Sequence, residues 1–256
     1  MSSPFESKEF VTSLSRGLRV ISAFNRDYRR LTLTEVANRC ELNRAATRRF
    51  LFTLQALGYV ETNGKLFWLS PKILELGYAY LTSQPIVETV QPFIERVSST
   101  TGESCSVSVL DDCDVVYVAR HLTHHIMTVT LNVGTRLPAY VTSMGRAILA
   151  ALPDDEVEAI LDASELKKLT DNTIVDKDLL KAELRKVREN GYAIVSEELE
   201  IGLRSIAVPI KSLRGNVVAA INVSTQAARM SEDDLRQNIL PALCSAAREI
   251  SEVLPY

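Results

Sequence analysis

The chain predicts an α+β fold in two unequal parts. A small helical part is closed by a β-hairpin, and a larger part holds an antiparallel sheet flanked by helices. Three observations predict this. Apolar residues recur at helical spacing from Thr12 to Leu57, and β-prone runs then flank Asn63-Gly64. From Pro85 onward, β-prone runs come in two groups, with helical stretches between and around them. The charge is divided as well: residues 1–80 carry 12 Lys/Arg against 7 Asp/Glu, and residues 81–256 carry 17 against 25.

In chain order, Leu14, Leu18, Ile21 and Phe24, with Val20 beside them, predict a helix over Thr12–Asn25. Thr32 or Thr34 caps a second helix running to about Arg39, with Val36 and Ala37 inward. Cys40-Glu41-Leu42 is a turn, and Asn43 caps a third helix. There Ala46, Phe50, Leu54 and Leu57 fall on one face, with Arg44, Ala45, Thr47 and Arg48 outside it. Gly58 stops the helix. Tyr59–Thr62 and Lys65–Trp68 form the hairpin. Ser70-Pro71 opens a further helix running to about Thr82. These signals divide the chain into residues 1–69, a linker helix over 70–84, and a second domain over 85–256.

The second domain opens with a helix, Pro85–Thr101, ended by Gly102. Strands are predicted at Ser104–Leu110, Val115–Arg120, Ile126–Asn132, Ser205–Ile210 and Val217–Ser224. Helices are predicted at Met144–Leu152, Asp154–Ala163, Asp176–Glu189 and Asp233–Val253, the last capped by Ser231.

The whole-chain figures set broad limits. With 256 residues, 46% apolar and 24% charged, the chain can build an ordinary globular core. No apolar run is long enough to span a membrane, and MSSPFESKEF lacks a signal-peptide apolar block, so no membrane partner and a cytoplasmic location are expected. Cys40, Cys105, Cys113 and Cys244 show no CxxC spacing; reduced thiols are expected, with no metal site. Gly-rich phosphate loops are missing, and no cofactor is expected.

A short helix, a turn, a second helix with an arginine-rich outer face and then a hairpin is the layout of a winged helix-turn-helix. Such a helix enters the major groove N-terminus first, which nominates Asn43, Arg44, Ala45, Thr47, Arg48 and Arg49. Arginine can grip guanine with two bonds, and the methyls of alanine and threonine can contact thymine. Lys65 at the hairpin tip, with Arg29 and Arg30, are candidates for backbone phosphate. The basic charge of residues 1–80 agrees with a double-stranded DNA partner.

Four separated stretches add a resemblance. They are VTSLSRGL from Val11, NRAATRRFLFTLQALGYV from Asn43, LNVGTRLPAYVTSMGRAILA from Leu131, and GYAIVSEELEIGLRSIAVP from Gly191. Together they resemble the IclR family of bacterial transcription regulators. Tyr117-Val118-Ala119-Arg120, with the stretch from Leu131 to Arg146, most resembles regulators of aromatic-acid catabolism. Those respond to protocatechuate, 4-hydroxybenzoate or β-ketoadipate. The resemblance implies a homodimer or dimer of dimers on a palindromic operator, and a C-terminal GAF-like domain that binds a small organic acid. It carries the pocket onto Ile126, Val129, Leu137, Ser143, Met144, Leu203, Ser205, Asn222 and Ser224. That set pairs apolar side chains for a carbon skeleton with hydroxyls and an amide for polar groups. Gly145, after Ser143 and Met144, opens a helix whose free N–H groups favour a carboxylate. Some family members carry an acid and a cysteine where this chain has Val195 and Ser205, so its polar contacts differ. Arg120 and Arg204 are candidate cations for an acidic ligand.

Other readings are weaker. His121, His124 and His125 could join Cys105 or Cys113 in nucleophilic or metal chemistry. They lie in a predicted turn without an acid among them, so a polar turn is expected. Glu197, Glu198 and Glu200 are read as a solvated loop rather than an acid–base cluster. A regulator is therefore expected, not an enzyme. A purely architectural DNA binder would leave the second domain without a role.

Overall fold

The computed structural model describes residues 9–123 and 131–254. Two compact units are present, Met1–Tyr80 and Leu81–Tyr256.

In the first unit, α1 (Thr12–Ser22), β1 (Leu31–Thr32), α2 (Leu33–Arg39) and α3 (Arg44–Ala56) precede a hairpin of β2 (Val60–Thr62) and β3 (Leu66–Leu69). β3 is central, with β1 and β2 antiparallel on either side. Thr32 starts α2 through a capping box: its hydroxyl accepts from the Glu35 N–H, and the Glu35 carboxylate accepts from the Thr32 N–H at 2.7 Å. These bonds from Thr32 hold the Glu35 carboxyl below the usual carboxylate range. Glu41 adopts left-handed backbone, φ 52°, to turn α2 toward α3. Asn43 caps α3 by accepting from the Ala46 N–H at 2.8 Å. At the hairpin tip, Asn63 Oδ1 accepts from the N–H groups of Lys65 and Leu66, while Gly64 takes φ 91°. Ser70 caps a short 3₁₀ turn, Pro71–Ile73, that leads into α4 (Leu74–Ser83).

The inward faces of α1 and α3 are narrower than their apolar spacing. On α1 the buried positions are Val20 and, just beyond the helix, Ala23 and Phe24, while Leu14 and Leu18 are 62% and 51% exposed. On α3 the buried set is Thr47, Leu51 and Leu54; of the expected Ala46, Phe50, Leu54 and Leu57, Leu54 is buried, Phe50 packs against the core from partial burial, and Leu57 is exposed. Thr47 can occupy a core position because its hydroxyl donates to the Asn43 carbonyl at 3.0 Å.

The second unit opens with α5 (Pro85–Thr101), closed by Gly102 in left-handed backbone. β4 (Ser104–Asp111), β5 (Asp114–His121) and β6 (Arg136–Pro138) follow. Then come α6 (Ser143–Ala150), α7 (Asp154–Ala163) and α8 (Lys177–Asn190). β7 (Ala193–Ser196), β8 (Leu203–Lys211) and β9 (Val217–Gln226) complete the sheet. The chain closes with α9 (Glu232–Asp234), a wide π-type turn at Leu235–Ile239, and α10 (Leu240–Val253). Pro241, which has no N–H to donate, sits just past the widened turn.

The strand order is β6-β5-β4-β9-β8-β7, antiparallel throughout. Each face of the sheet carries an apolar layer. α5 and α10 pack on Cys105, Val107, Ile206, Val208, Ile221 and Val223. α6, α7 and α8 pack on Val115, Tyr117, Ala193, Ala207 and Ala220. The expected α+β architecture holds. β6 and β7 were not expected; both are short edge strands and carry little periodic signal. Of the strand expected at Ile126–Asn132, residues 126–130 lie outside the described residues, and Leu131 and Asn132 are not in a strand.

One buried ion pair fixes the second layer. Arg146, on α6, is 1% exposed. Its guanidinium donates from both terminal nitrogens to the Glu198 carboxylate at 2.7 and 2.6 Å, and from Nε to the Tyr140 carbonyl. Glu198 also accepts from the Ile174 N–H, and its carbonyl accepts from Thr173. Glu198 is thus buried, which corrects the expectation of a solvated loop. Gly145 lies so close to the preceding 3₁₀ turn that a Cβ there would stand 2.1 Å from the Ala139 carbonyl oxygen.

Two stability changes follow from this packing. Arg146→Ala leaves a buried carboxylate without its cation and is expected to lower unfolding stability by about 3–5 kcal/mol, read by denaturant melts. Gly145→Ala forces backbone apart and is expected to cost at least ~1–3 kcal/mol in the same measurement.

Candidate DNA-reading face and ligand cavity

The outer side of α3 begins at its cap. Asn43, Arg44, Ala45, Arg48 and Arg49 are exposed. Thr47 is not among them: it is 0% exposed on the inward face of α3, so its nomination as a base contact is corrected. The Arg48 guanidinium lies 5.3 Å from the Phe52 ring centroid. Lys65 is exposed at the hairpin tip, and Arg29 and Arg30 are exposed before β1. The Arg29 Nε donates to the Arg26 carbonyl at 3.1 Å. Among the described residues, the ion pairs all use cations from Arg96 onward. Among the described residues, the exposed arginines of α3 thus have no carboxylate partner, which suits contact with an external anion.

In the second unit a tight cavity opens where α6 begins above the sheet, with about 420 Å³ of empty space counting its mouth. Its floor is Tyr117 on β5, Leu203 and Ser205 on β8, and Asn222 and Ser224 on β9. Its roof is Val141, Thr142 and Ser143, and its sides are Leu131, Val195 and Leu199. Strand alternation explains the floor. Ser205 faces Ser224, and Asn222 faces Ser106, which in turn faces Arg120.

Two polar atoms in this lining have no partner. Ser143 Oγ and Asn222 Oδ1 are buried without a hydrogen bond, although the Asn222 amide nitrogen donates to Ser224 Oγ at 3.1 Å. A buried orphan of this kind costs about 1–3 kcal/mol, which a ligand group can recover. At the roof, Thr142 caps α6 by accepting from the Gly145 N–H at 3.1 Å. The N–H groups of Ser143 and Met144 have no intrahelical acceptor at this end and favour an anion. Burial pushes the Tyr117 phenol up to about 12, against a smaller pull from Arg120, so it is a protonated donor at neutral pH.

Five nominated residues line the cavity: Ser143, Leu203, Ser205, Asn222 and Ser224. Others do not. Met144 is 0% exposed and packs in the layer beneath α6, and Leu137 packs against that layer from β6. Gly145 serves the close approach to Ala139. Arg204 alternates to the opposite face; its donors go to Ser196 Oγ and to the carbonyls of Ala227 and Met230. Arg120 lies in the Asn222–Ser106 row and is half-buried. It donates to the Leu131 carbonyl at 2.6 Å, while its Nε is buried without a partner. Burial lowers its pKa from the ordinary arginine value. Ile126, Val129, His124 and His125 lie outside the described residues. Tyr117, Leu131, Val141, Thr142, Val195 and Leu199 were not nominated; for Tyr117, pairing register was the missing signal.

The Cys–His reading meets a specific obstacle. Cys105 stands opposite His121 across β4 and β5, closer than their sequence separation suggests. Yet Cys105 is 0% exposed, and burial drives its thiol far above the ordinary range, the reverse of an activated nucleophile. The Cys113 thiol meets the Ile160 carbonyl at 3.5 Å.

Comparison with known proteins places the chain in a family. Residues 13–64 match the IclR helix-turn-helix domain, and residues 78–252 match the C-terminal domain of the bacterial transcriptional regulator IclR. The chain is 44% identical to the Pca regulon regulatory protein of Pseudomonas putida over 96% of this chain and 85% of that protein. It is similar to the crystal structure of a transcriptional regulator from Rhodococcus sp. RHA1, with TM-score 0.84 and 49% identity, over 95% of this chain and 98% of that one. It is also similar to an IclR homolog from Microbacterium hydrocarbonoxydans crystallised with 4-hydroxybenzoate, with TM-score 0.79 and 25% identity, over 94% and 98% of the two chains. A reading helix whose arginines have no carboxylate partner among the described residues, together with these matches, leads to one conclusion: the chain belongs to the IclR family of DNA-binding transcription regulators.

Proposed function

We propose that this regulator controls genes for the breakdown of aromatic compounds and answers to a small organic acid held in the cavity. The observation that carries this reading is the pair of orphan polar atoms, Ser143 Oγ and Asn222 Oδ1, in one lining. The ligand carboxylate sits at the start of α6, taking the N–H groups of Ser143 and Met144 and the Ser143 hydroxyl. Leu131, Val141, Leu199 and Leu203 cover the carbon skeleton. The far end of the ligand has two possible anchors. A hydroxyl donates to Asn222 Oδ1, whereas a second carboxylate calls on Arg120. The similarity to a homolog crystallised with 4-hydroxybenzoate supports the first.

Residues 1–69 read DNA, 70–84 form the linker helix, and 85–256 sense and assemble. Exposed Val11, Leu14 and Leu18 on and before α1, with Leu74 and Leu76 on α4, support a homodimer or dimer of dimers. Its two reading helices meet the halves of a palindromic operator in successive major-groove turns. Chromosomal DNA as partner puts its work in the cytoplasm. Ligand changes DNA affinity only by its preference between two arrangements of the oligomer, with α4 as the covalent route between the parts.

A thermal-shift panel of protocatechuate, 4-hydroxybenzoate and β-ketoadipate tests the ligand class. A saturating rise in melting temperature with one of them is expected, and a flat panel moves the protein to another carbon-source pathway. Asn222→Leu is expected to remove a hydroxy-acid response, and Arg120→Met a dicarboxylate response, with DNA affinity kept in both. A response surviving both changes refutes the cavity. Arg44→Ala and Arg48→Ala are each expected to weaken operator binding by about 1–3 kcal/mol in a fluorescence-anisotropy titration, and unchanged affinity removes that residue from the reading face.

A further inference from the structure

We propose that Trp68 is a positioning residue for DNA binding: its indole face holds the Arg30 guanidinium ready for a backbone phosphate beside the hairpin. The proposal rests on the DNA-binding reading of the first unit and extends it to a residue outside α3. Register supplies the geometry. Leu31 on β1 pairs with Phe67 on β3, so Arg30, one residue before the strand, comes level with Trp68. Trp68 pairs on its other side with Glu61 on β2. Phe67 points into the core at 5% exposure, so alternation puts the row Arg30, Trp68, Glu61 on the outer face.

The contacts follow that row. The Arg30 guanidinium carbon lies 4.7 Å from the centroid of the Trp68 ring. The indole N–H donates to Glu61 Oε2 at 2.8 Å and fixes the ring from the other side. The tryptophan therefore stands between the acid and the cation. Glu61 bonds the indole rather than Arg30, and among the described residues Arg30 has no carboxylate partner. Stacking engages only the flat face of a guanidinium, and its N–H edge stays open for a phosphate oxygen. Holding a long side chain in place beforehand lowers the ordering cost of that contact.

The test measures binding of the full chain to mixed-sequence duplex DNA across a salt series, since phosphate contacts do not depend on sequence. Arg30→Ala is expected to reduce the slope of log affinity against log salt by about 0.9, the value for one phosphate. Trp68→Ala should reduce it similarly, and the double variant no further. Trp68→Phe keeps a ring face and should hold the wild-type slope. A Trp68→Ala slope equal to wild type, beside a reduced Arg30→Ala slope, overturns the positioning role. An unchanged Arg30→Ala slope overturns the phosphate contact. If Trp68→Ala does not fold by circular dichroism, Trp68→Leu replaces it, and equal slopes for Leu and Phe overturn the proposal. Wild-type protein with no salt-dependent binding overturns the DNA-binding reading together with this one.

Discussion

The ion pair between Arg146 and Glu198 is the constraint on which the second unit depends. Two charges out of water are tolerable only when each is fully engaged, and here they are: the guanidinium meets a carboxylate and a carbonyl, and the carboxylate also takes a backbone N–H. The pair ties α6 to the segment between β7 and β8. α6 and its cap supply Thr142 and Ser143 to the roof, and the segment supplies Leu199 to one side, next to Val195 on β7. The close approach at Gly145 fixes the height of α6 over the turn before it. The cavity exists because these contacts hold a helix start above a sheet whose strands offer serine and asparagine at that level.

The first unit solves a different problem with less material. Among the described residues its core cluster holds ten buried apolar side chains drawn from short elements, so caps matter more. Thr32 and Asn43 start two helices on either side of a tight turn, and Glu41 supplies the left-handed residue between them. The arginines outside this core make no ion pairs among the described residues, unlike the cations of the second unit. A surface of unpaired positive charge is costly for a monomer but suits one that meets DNA.

Much of this was legible in the sequence because local signals and tertiary structure agree. Asn43, Ser70, Gly102 and Ser231 each mark a helix boundary close to where it lies, and Asn63-Gly64 marks the hairpin. Failures have identifiable physics. Thr47 looked like a surface residue because its self-satisfied hydroxyl is invisible to a polarity count. Edge strands β6 and β7 are too short for a period to register. Glu198 looked solvated because its partner lies 52 residues away on another element. Ser143, Ser205, Asn222 and Ser224 were recovered through family resemblance, whereas Tyr117 and Thr142 needed the register and the cap. Arg204 was misplaced by one residue of strand alternation.

The inward face of α3 has an evolutionary consequence. With Thr47 inside, the free positions near the helix start are Arg44, Ala45, Arg48 and Arg49, and none of them lies in a core cluster or an ion pair of the described residues. Substitutions at such sites usually shift stability by under about 0.5 kcal/mol. Operator preference can therefore wander among related sequences at little structural penalty. On the proposed cavity reading, ligand preference cannot, because Asn222 and Ser205 project from strands packed on both faces, where each change in shape is felt by the sheet. On that reading, new target genes should be acquired more readily than new ligands.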